Sequence, residues 1–294
     1  MFFYLLYLIG STAAFILPTK FSYWVACRVA DYSCWRFRAD REAVRSNLSA
    51  VLQRDHVPVE MVRDVFRNFG MYLVDFFRFG HLTPEKIKEA VRIEGLEHMR
   101  GVLAAGRGAI GLTAHLGNFE LAGAVLSLMG FPVNAVVLTH QNPYVDNFFT
   151  SQRSQVGVKG IPVQRQSPRE FFKTCMSVLE NNEILALVGD RDFFNHGIEL
   201  PLFGKSIKIP TGPAGFSIKT GAPIVPGFMI REKDGSYRLI LEKPIVAPEG
   251  VAREEAMRQM TEKCLEVMAK YIRQYPTQWY GFREFWKHVP GVIL

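Results

Sequence analysis

Short apolar segments alternate with helix-like segments along most of this 294-residue chain. The short segments are rich in residues that favour strands, and runs this apolar are typical of strands covered on both faces. Strands of that kind belong to mostly parallel sheets with helices on either side. The sequence therefore predicts an α/β fold with a mostly parallel central sheet flanked by helices, with strands near residues 108–113, 132–138, 160–163, 184–188, 222–230 and 237–245.

Three segments carry helix signals. Apolar residues recur every three or four positions over residues 58–79 and again over 257–271. The segment Ser167-Pro168-Arg169-Glu170 has the pattern of a capping box with proline at the first helical position, which predicts a helix start. We interpret the apolar stripes of these helices as surfaces that pack on the core.

Residues 1–18 contain no charged side chain and are mostly apolar. Their length lies at the short limit for crossing a bilayer, and they lack the basic region and the cleavage site of a secretory signal. We therefore predict a retained membrane-anchor helix here. The alternative is a buried amphipathic or core helix, because Gly10-Ser11-Thr12 interrupts the apolar segment.

Basic residues follow this segment closely, at Lys20, Arg28, Arg36, Arg38 and Arg41. By the positive-inside rule they predict an inner-membrane protein whose remaining chain lies on the cytoplasmic side. The change of pattern near residues 80–90 then predicts three units: the anchor at 1–18, a helical membrane-proximal segment at 19–85 and an α/β domain at 86–294.

The net charge of +7 indicates a partner that carries negative charge. We favour an anionic membrane surface over nucleic acid, because the basic residues are dispersed and no recognition-helix motif is evident. The four cysteines form no C-x-x-C pair and have no histidine at zinc spacing, so the sequence predicts free thiols and no metal site.

The residues best suited to chemistry follow the predicted strand at 108–113. His115 would end that strand, and Leu116-Gly117-Asn118 would turn the chain into a helix that contains Glu120. Turns of this kind lie where open α/β sheets usually bind ligands. The spacing allows the Glu120 carboxylate to bond one ring nitrogen and leave the other as a general base. The alternative is a histidine bonded to backbone and a carboxylate that only favours the helix dipole.

The block Thr113-Ala-His115-Leu-Gly-Asn-Phe-Glu120-Leu-Ala resembles the His-x-x-x-x-Glu block of the bacterial lipid A biosynthesis (lauroyl/myristoyl) acyltransferase family, within the lysophospholipid acyltransferase-like superfamily. The resemblance covers almost the whole chain through further motifs in the same order. These are Arg45-Ser-Asn-Leu48, Arg67-Asn-Phe69, Asp75-Phe-Phe77, Gly95-Leu-Glu-His98, Asp190-Arg-Asp192, Pro201-Leu-Phe-Gly204, Pro210-Thr-Gly-Pro-Ala214, Thr220-Gly-Ala-Pro-Ile-Val-Pro226 and Pro276-Thr-Gln-Trp279.

The sequence departs from that family at a few positions. Phe119 stands where tryptophan is usual, and Gly281-Phe-Arg-Glu-Phe285 lacks the usual His-Arg-Arg-Phe character. Arg191 and the segment from Gly197 to Gly204 are similar to the phosphatidylinositol mannoside acyltransferase branch. These differences concern the identity of the acceptor lipid.

The resemblance implies a glycerolipid acyltransferase-like fold and transfer of a fatty acyl chain to a hydroxyl of a lipid A precursor or related glycolipid. A phospholipid or a phosphatidylinositol mannoside is the alternative acceptor. The donor would be acyl carrier protein or coenzyme A carrying the acyl thioester, with no other cofactor and no metal. His115 would be the general base, Glu120 would orient it, and the backbone amides around Gly117 and Asn118 would bind the thioester oxyanion.

The resemblance and the expected sheet edge also suggest six substrate-binding candidates: Arg153, Arg165, Asp190, Arg191, Asp192 and Glu199. The aromatic pairs Phe76-Phe77 and Phe193-Phe194 are candidates to line an acyl groove, although we favour ordinary core packing for them. The non-enzymatic alternative is a membrane-tethered protein that only binds anionic lipid through its basic surface.

Overall fold

Seven strands form the central sheet of the computed structural model, which describes residues 2–192 and 195–286 and the side chains from residue 7 onward. All neighbours in this sheet are parallel except the pair β8–β9. The order is β1-β9-β8-β2-β5-β3-β4, while β6 and β7 form a separate antiparallel hairpin. The strands are β1 (Val91–Glu94), β2 (Ala109–Thr113), β3 (Val133–Val137), β4 (Lys159–Pro162), β5 (Ile184–Val188), β6 (Ile198–Leu202), β7 (Lys205–Ile209), β8 (Ile224–Arg231) and β9 (Tyr237–Leu241).

Helices precede the sheet and connect its strands. They are α1 (Phe2–Ile16), α2 (Thr19–Arg36), α3 (Arg38–Leu52), α4 (Val59–Phe77), α5 (Pro84–Ala90), α6 (Leu96–Ala104), α7 (Phe119–Leu128), α8 (Pro143–Gln155), α9 (Pro168–Glu180), α10 (Gly212–Thr220) and α11 (Arg253–Gln274), with short 3₁₀ turns at Phe79–His81 and Pro276–Gln278. The predicted mostly parallel α/β fold is confirmed. The helix signals correspond to α4, α9 and α11, and both halves of the capping box form at the start of α9.

Both faces of the sheet are covered at its centre, which explains why the central strands β2 and β5 are apolar throughout. Consecutive residues of β2 point to opposite faces. Ala109 packs into a cluster that includes residues of α6, α7 and α8, while Ile110 and Leu112 pack into a cluster with residues of α9, α10 and α11. The central strands are therefore covered on both faces, and the carboxyl ends of β2, β5 and β3 meet along one edge.

The N-terminal helix needs a correction to the sequence prediction. Helix α1 has 15 residues, fewer than the roughly 20 that cross a bilayer. It packs on the rest of the chain: Ala14 is buried, and the ring of Tyr7 meets those of Phe77 and Phe149 at 6.1 and 5.5 Å. Within the part of the chain that the structure describes, no helix is both long and apolar enough to span a membrane. The spanning anchor at residues 1–18 is thus unsupported, and the alternative of a packed helix describes α1 better.

Helices α2, α3 and α4 pack together before the sheet begins. Val44, Leu48, Val62 and Phe66 form their shared apolar cluster, which Tyr280 also joins from the end of the chain. Phe76 and Phe77 are both buried in the core, as the favoured interpretation predicts, and Phe77 also lines a cavity. The pair Phe193-Phe194 lies outside the described residues. The unit boundaries at 18 and 85 stay a prediction.

Candidate active site

His115 lies two residues beyond the carboxyl end of β2, at the start of the turn that leads into α7. Its backbone carbonyl accepts a hydrogen bond from the amide of Tyr280 at 2.9 Å. Buried Ala114 and Leu116 flank it and anchor the turn in the core. The side chain of His115 is 15% exposed and lines a large cavity.

Asp190 holds one side of the His115 ring. It follows the carboxyl end of β5, and the parallel register that pairs Thr113 with Val188 brings the two residues together. His115 Nδ1 lies 2.7 Å from Asp190 Oδ1, and the indole Nε1 of Trp279 donates to Asp190 Oδ2 at 3.0 Å. An ionised carboxylate only accepts, so the Nδ1–H of His115 donates, and in the neutral form of the ring Nε2 carries the lone pair.

The charge on Asp190 is stabilised although the side chain is 2% exposed. Burial alone would raise the pKa of Asp190. The attraction of His115 and Arg191, with the hydrogen bonds from His115 and Trp279, outweighs burial and holds the pKa of Asp190 well below its usual range. Asp190 is therefore a carboxylate at neutral pH, suited to orient His115 and to stabilise an imidazolium.

Glu120 makes a different contact from the one that the sequence predicted. Its oxygens accept from Arg153 of α8, at 2.5 Å from Nη2 to Oε1 and 3.0 Å from Nε to Oε2. The two side chains are 13% and 12% exposed, and both line the same cavity as His115. Glu120 lies in the first turn of α7 and reaches α8, whereas Asp190 reaches the Nδ1 of His115. The contact with a ring nitrogen of His115 that the sequence predicted for Glu120 is made by Asp190 instead.

The turn amides expected to bind an oxyanion already have partners. The amide of Gly117 donates to the carbonyl of Gln278, and that of Asn118 donates to the carbonyl of Met229, both at 2.8 Å. The side chain of Asn118 is also engaged, because its Oδ1 caps α7 by accepting from the amide of Leu121 at 3.0 Å. Gly117 and Asn118 thus shape the turn, and their role as oxyanion donors is not supported.

A buried polar cluster that the sequence did not predict holds the side chain of Asn118. Asp75 of α4 accepts from Asn118 Nδ2 at 3.0 Å and also from Tyr23, Arg231 and Tyr237. Burial raises the pKa of Asp75, and these donors oppose that rise. The cluster ties α2 and α4 to the start of α7. The motif Asp75-Phe-Phe77 stood out in the sequence, but its partners are far apart along the chain.

Arg191 and Asp192 lie beside Asp190 and line the cavity. Arg191 Nη2 donates to the carbonyl of Tyr280, and its buried Nε has no hydrogen-bond partner among the described residues. Burial lowers the pKa of Arg191. Asp192 Oδ2 accepts from the amide of Gly197 at 2.6 Å, which tethers the chain ahead of the hairpin.

Two predicted substrate-binding residues lie apart from His115. Arg165 is 54% exposed and donates to Asp146 of α8 at 2.6 Å. Glu199 is exposed on β6, opposite Lys208 of β7 in the hairpin. Neither side chain lines the cavity that the described residues enclose. Of the six candidates, the fold thus brings Asp190 into contact with His115 and places Arg153, Arg191 and Asp192 on the wall of the same cavity.

The cavity has a volume of about 980 Å³ and is mostly apolar. One set of lining residues comes from α1, α2 and α4, and includes Ala26, Leu73 and Phe77. A second set comes from the carboxyl ends of β3 and β5 and from the start of α10. Among the described residues no cluster of three or more His, Cys, Asp or Glu side chains is arranged to hold a metal ion. The site combines a carboxylate-backed histidine with an apolar space large enough for a lipid chain.

Gly117 offers a direct test of the turn geometry. Its φ is +62°, and an added Cβ would overlap the carbonyl oxygen of Met229. We expect Gly117→Ala to destabilise the protein by about 2 kcal/mol or more and to lower Tm by about 5 °C. Gly106→Ala is the matched control, because Gly106 also has a positive φ but no atom within 4 Å of an added Cβ. Thermal unfolding that shifts equally in the two variants would contradict the close contact.

Comparison with known proteins gives a family match over nearly the whole chain. The sequence profile described as bacterial lipid A biosynthesis acyltransferase matches residues 1–288. This range contains the resemblance motifs, including the block from Thr113 to Ala122. The match agrees with the resemblance noted in the sequence.

Individual relatives are similar at modest identity. The phosphatidylinositol mannoside acyltransferase of Mycolicibacterium smegmatis is 25% identical over 247 residues, which is 83% of this chain and 79% of that protein. The lipid A biosynthesis palmitoleoyltransferase of Escherichia coli is 23% identical over 234 residues, which is 79% of this chain and 72% of that protein. A solved structure, the 1-acyl-sn-glycerophosphate acyltransferase of Thermotoga maritima, matches 86% of this chain and 98% of its own at 14% identity and a TM-score of 0.39.

Proposed function

The chain belongs to the family of bacterial lipid A biosynthesis acyltransferases, and from this premise we propose that it transfers a fatty acyl chain from a thioester to a hydroxyl of a membrane glycolipid. It is an acyltransferase of the lipid A and phosphatidylinositol mannoside type. The observation that carries the proposal is the His115–Asp190 pair on the wall of a mostly apolar cavity. A base and a space for a hydrocarbon chain are what this reaction needs.

The proposed mechanism uses His115 as the general base. Its Nε2 takes the proton of the acceptor hydroxyl while that oxygen attacks the thioester carbonyl. The tetrahedral intermediate collapses to the ester and expels the thiolate, which takes the proton back from His115. Asp190 stabilises the imidazolium that exists between these steps. A thioester is already activated, so the reaction needs no covalent enzyme intermediate, no metal and no further cofactor.

The oxyanion of the intermediate needs hydrogen-bond donors near His115. The first amides of a helix have no carbonyl partner within the helix. We assign this role to the amides of Phe119 and Glu120 at the start of α7. The side chain of Asn118 accepts from the amide of Leu121 and from neither of these two amides. Donors at a helix N-terminus also bring the favourable end of the helix dipole to the developing charge.

The Glu120–Arg153 pair is the polar group of the cavity wall best placed to contact the acceptor. The Nε and Nη2 of Arg153 both donate to Glu120, and its guanidinium lies 5.8 Å from the ring centre of Phe76. A paired carboxylate retains lone pairs that accept from sugar hydroxyls. We propose that Glu120 orients the acceptor headgroup and that Arg153 holds Glu120 in place.

Donor, acceptor and location complete the proposal. The acceptor is a lipid A precursor or related glycolipid, with a phospholipid or phosphatidylinositol mannoside as the second candidate, favoured by the match to the mycobacterial relative. The donor is acyl carrier protein or coenzyme A carrying the chain, and the net charge of +7 suits an acidic carrier protein. We propose that the enzyme works on the cytoplasmic side of the inner membrane.

The experiment supplies the purified full-length protein with labelled acyl carrier protein or labelled acyl-coenzyme A. Each donor is combined with a lipid A precursor, a phosphatidylinositol mannoside or a phospholipid, and mass spectrometry follows the lipids. We expect one acceptor to gain one acyl chain, which names donor and acceptor together. Tight lipid binding that weakens with salt, and no product from any combination, would overturn the proposal in favour of a lipid-binding protein.

A further inference from the structure

A second histidine lies on the wall of the cavity. His140 follows β3, and its side chain lines the same cavity as His115, Glu120 and Arg153. The side chain is half-buried, and its ring centre lies 4.5 Å from that of Phe149 in α8. Among the described residues, no group forms a hydrogen bond with either ring nitrogen of His140. The imidazole therefore has a donor and an acceptor that are available to a molecule in the cavity.

Contacts from outside the loop hold the backbone of His140. Its amide donates to Asp146 Oδ1 at 2.8 Å, and the amide of Thr139 donates to Gln164 Oε1 at 2.7 Å. Asp146 is buried in the first turn of α8, and its Oδ2 accepts from Arg165 at 2.6 Å. These contacts join the end of β3 to α8 and to the segment after β4. They fix the imidazole at a set position on the cavity wall.

Phe149 places His140 beside the Glu120–Arg153 pair. The ring centre of Phe149 lies 4.5 Å from that of His140 and 6.0 Å from the guanidinium carbon of Arg153. The charges of both Glu120 and Arg153 act on the imidazole. The imidazole and the ion pair therefore belong to one polar wall in a cavity that is otherwise mostly apolar.

The charges of this polar wall cancel at neutral pH. Glu120 pairs with Arg153, and Asp146 pairs with Arg165. Burial lowers the pKa of His140 below the usual value of about 6.5, and Arg153 adds to this effect, while Asp146 and Glu120 oppose it. His140 is thus a neutral ring with one donor and one acceptor. Such a wall suits hydroxyl groups, which both donate and accept, better than it suits a phosphate.

We propose that His140 binds a ring hydroxyl of the acceptor headgroup and selects a sugar or inositol ring over a headgroup that carries only phosphate. The Glu120 carboxylate accepts from a second hydroxyl of the same ring. A site built to bond a hydroxyl discriminates against a ligand without one, because its polar groups are then left unpaired. Asp146 and Arg165 are positioning residues that act through the backbone of His140. The identity of the acceptor rests on the proposed function, whereas binding of the ring does not.

His140→Phe tests the contact, since it removes both ring nitrogens and keeps a ring against Phe149. The full-length protein receives an acyl donor with a phosphatidylinositol mannoside, a lipid A precursor or lysophosphatidic acid. We expect the KM for the acylated glycolipid to rise about tenfold, with kcat and the KM for the donor within about threefold of the wild type. An unchanged KM for the glycolipid would overturn the proposal. So would a wild-type kcat/KM for lysophosphatidic acid as high as that for the glycolipid.

Two further variants separate hydrogen bonding from loop structure. His140→Asn retains a donor and an acceptor, so it should recover part of the affinity for the glycolipid. Gln141→Ala is the control in the same loop, because Gln141 is exposed and does not line the cavity that the described residues enclose. It should leave the KM unchanged. Equal KM values for His140→Phe and Gln141→Ala would contradict a contact made by the imidazole.

Arg165→Gln tests the positioning of the loop. We expect it to raise the KM for the glycolipid about threefold in the wild type and to have no further effect in His140→Phe, because Arg165 acts only through Asp146 and His140. Equal effects in both backgrounds would mean that Arg165 acts independently of the imidazole and would remove it from this role.

Nuclear magnetic resonance separates binding from acyl transfer. With carbon-13 in the histidine rings, His140→Phe identifies the Cε1–H signal of His140. We expect detergent-dispersed glycolipid without donor to shift this signal, and inorganic phosphate to leave it unchanged. A shift with phosphate and none with glycolipid would overturn the proposal. A glycolipid shift in a protein that acylates no lipid would refute the proposed function and leave ring binding standing, whereas glycolipid acylation without any shift would do the reverse.

Discussion

Replacement of His115 by alanine is expected to lower kcat for acyl transfer by about 10²- to 10⁴-fold, the range that a positioned general base contributes. The acceptor hydroxyl would lose the group that takes its proton, while the thioester stays activated, so a small residual rate is expected. The side chain is 15% exposed at the cavity wall. Thermal unfolding should therefore change little, and the KM for either substrate should change less than kcat.

His98 offers the matched control for this experiment. Its Nδ1 is also hydrogen-bonded, to the carbonyl of Leu241 at 3.0 Å, but the side chain lies on α6 and does not line the cavity. His98→Ala should reduce kcat only in proportion to any loss of folded protein. Turnover by His115→Ala within a few-fold of the wild type would remove His115 from the mechanism.

The sheet was predictable because its strands are apolar on both faces. The residues of β2, β3, β4, β5, β8 and β9 all fall within the predicted segments except for one residue at an end of β4 and one of β8. The edge strand β1 and the hairpin β6–β7 were missed. In these three strands apolar residues are interrupted by polar and charged ones, for example Lys205 and Lys208 of β7. Such short, half-exposed strands give no apolar run.

The partner of His115 was not predictable from local spacing. Glu120 is five positions away in the sequence, but the helix turns its carboxylate toward Arg153 of α8. Asp190 is 75 positions away, and only the pairing of β2 with β5 brings it to the ring. Asp190 and Trp279 both lie in family motifs, but nothing in those motifs links either residue to His115. Contacts across a parallel sheet need the strand order, which a local pattern does not contain.

The turn after His115 shows the same limit for backbone groups. A strand-to-helix turn has amides that look available when only its own residues are considered. Here the carbonyls of Met229 and Gln278, more than 100 positions away, occupy the amides of Asn118 and Gly117. The spanning helix predicted at residues 1–18 is likewise not supported, because an uncharged apolar segment is equally suited to a bilayer and to packing on protein.

Asp190→Asn is the second substitution with a large expected effect, again a loss of about 10²- to 10⁴-fold in kcat. The amide has one acceptor and one donor where the carboxylate has two acceptors. The indole of Trp279 can only donate, so the amide oxygen must turn toward it. The amide nitrogen then donates to Nδ1 of His115, which places the ring proton on Nε2. A protonated Nε2 cannot act as the base.

A second substitution should reverse part of that loss. In Asp190→Asn/Trp279→Phe no indole competes for the amide oxygen, so the amide can flip and accept from Nδ1–H of His115. We expect kcat of the double variant to exceed that of Asp190→Asn, although Trp279→Phe alone should lower kcat, by less than about tenfold. Steady-state kinetics of the four proteins would give this non-additivity directly. Additive losses would mean that Asp190 does not set the tautomer of His115.

The difference in stability between the wild type and Asp190→Asn provides an independent readout of the charge on Asp190. Because the pKa of Asp190 is held well below its usual range in the folded protein, its contribution to the free energy of unfolding is complete above the unfolded pKa of about 4. That contribution is lost as the pH falls through the folded value. The wild type should therefore be more stable than Asp190→Asn at neutral pH, and the difference should shrink below about pH 4. A difference that stays constant in denaturant unfolding between pH 7 and about pH 3 would mean that Asp190 is not ionised beside His115.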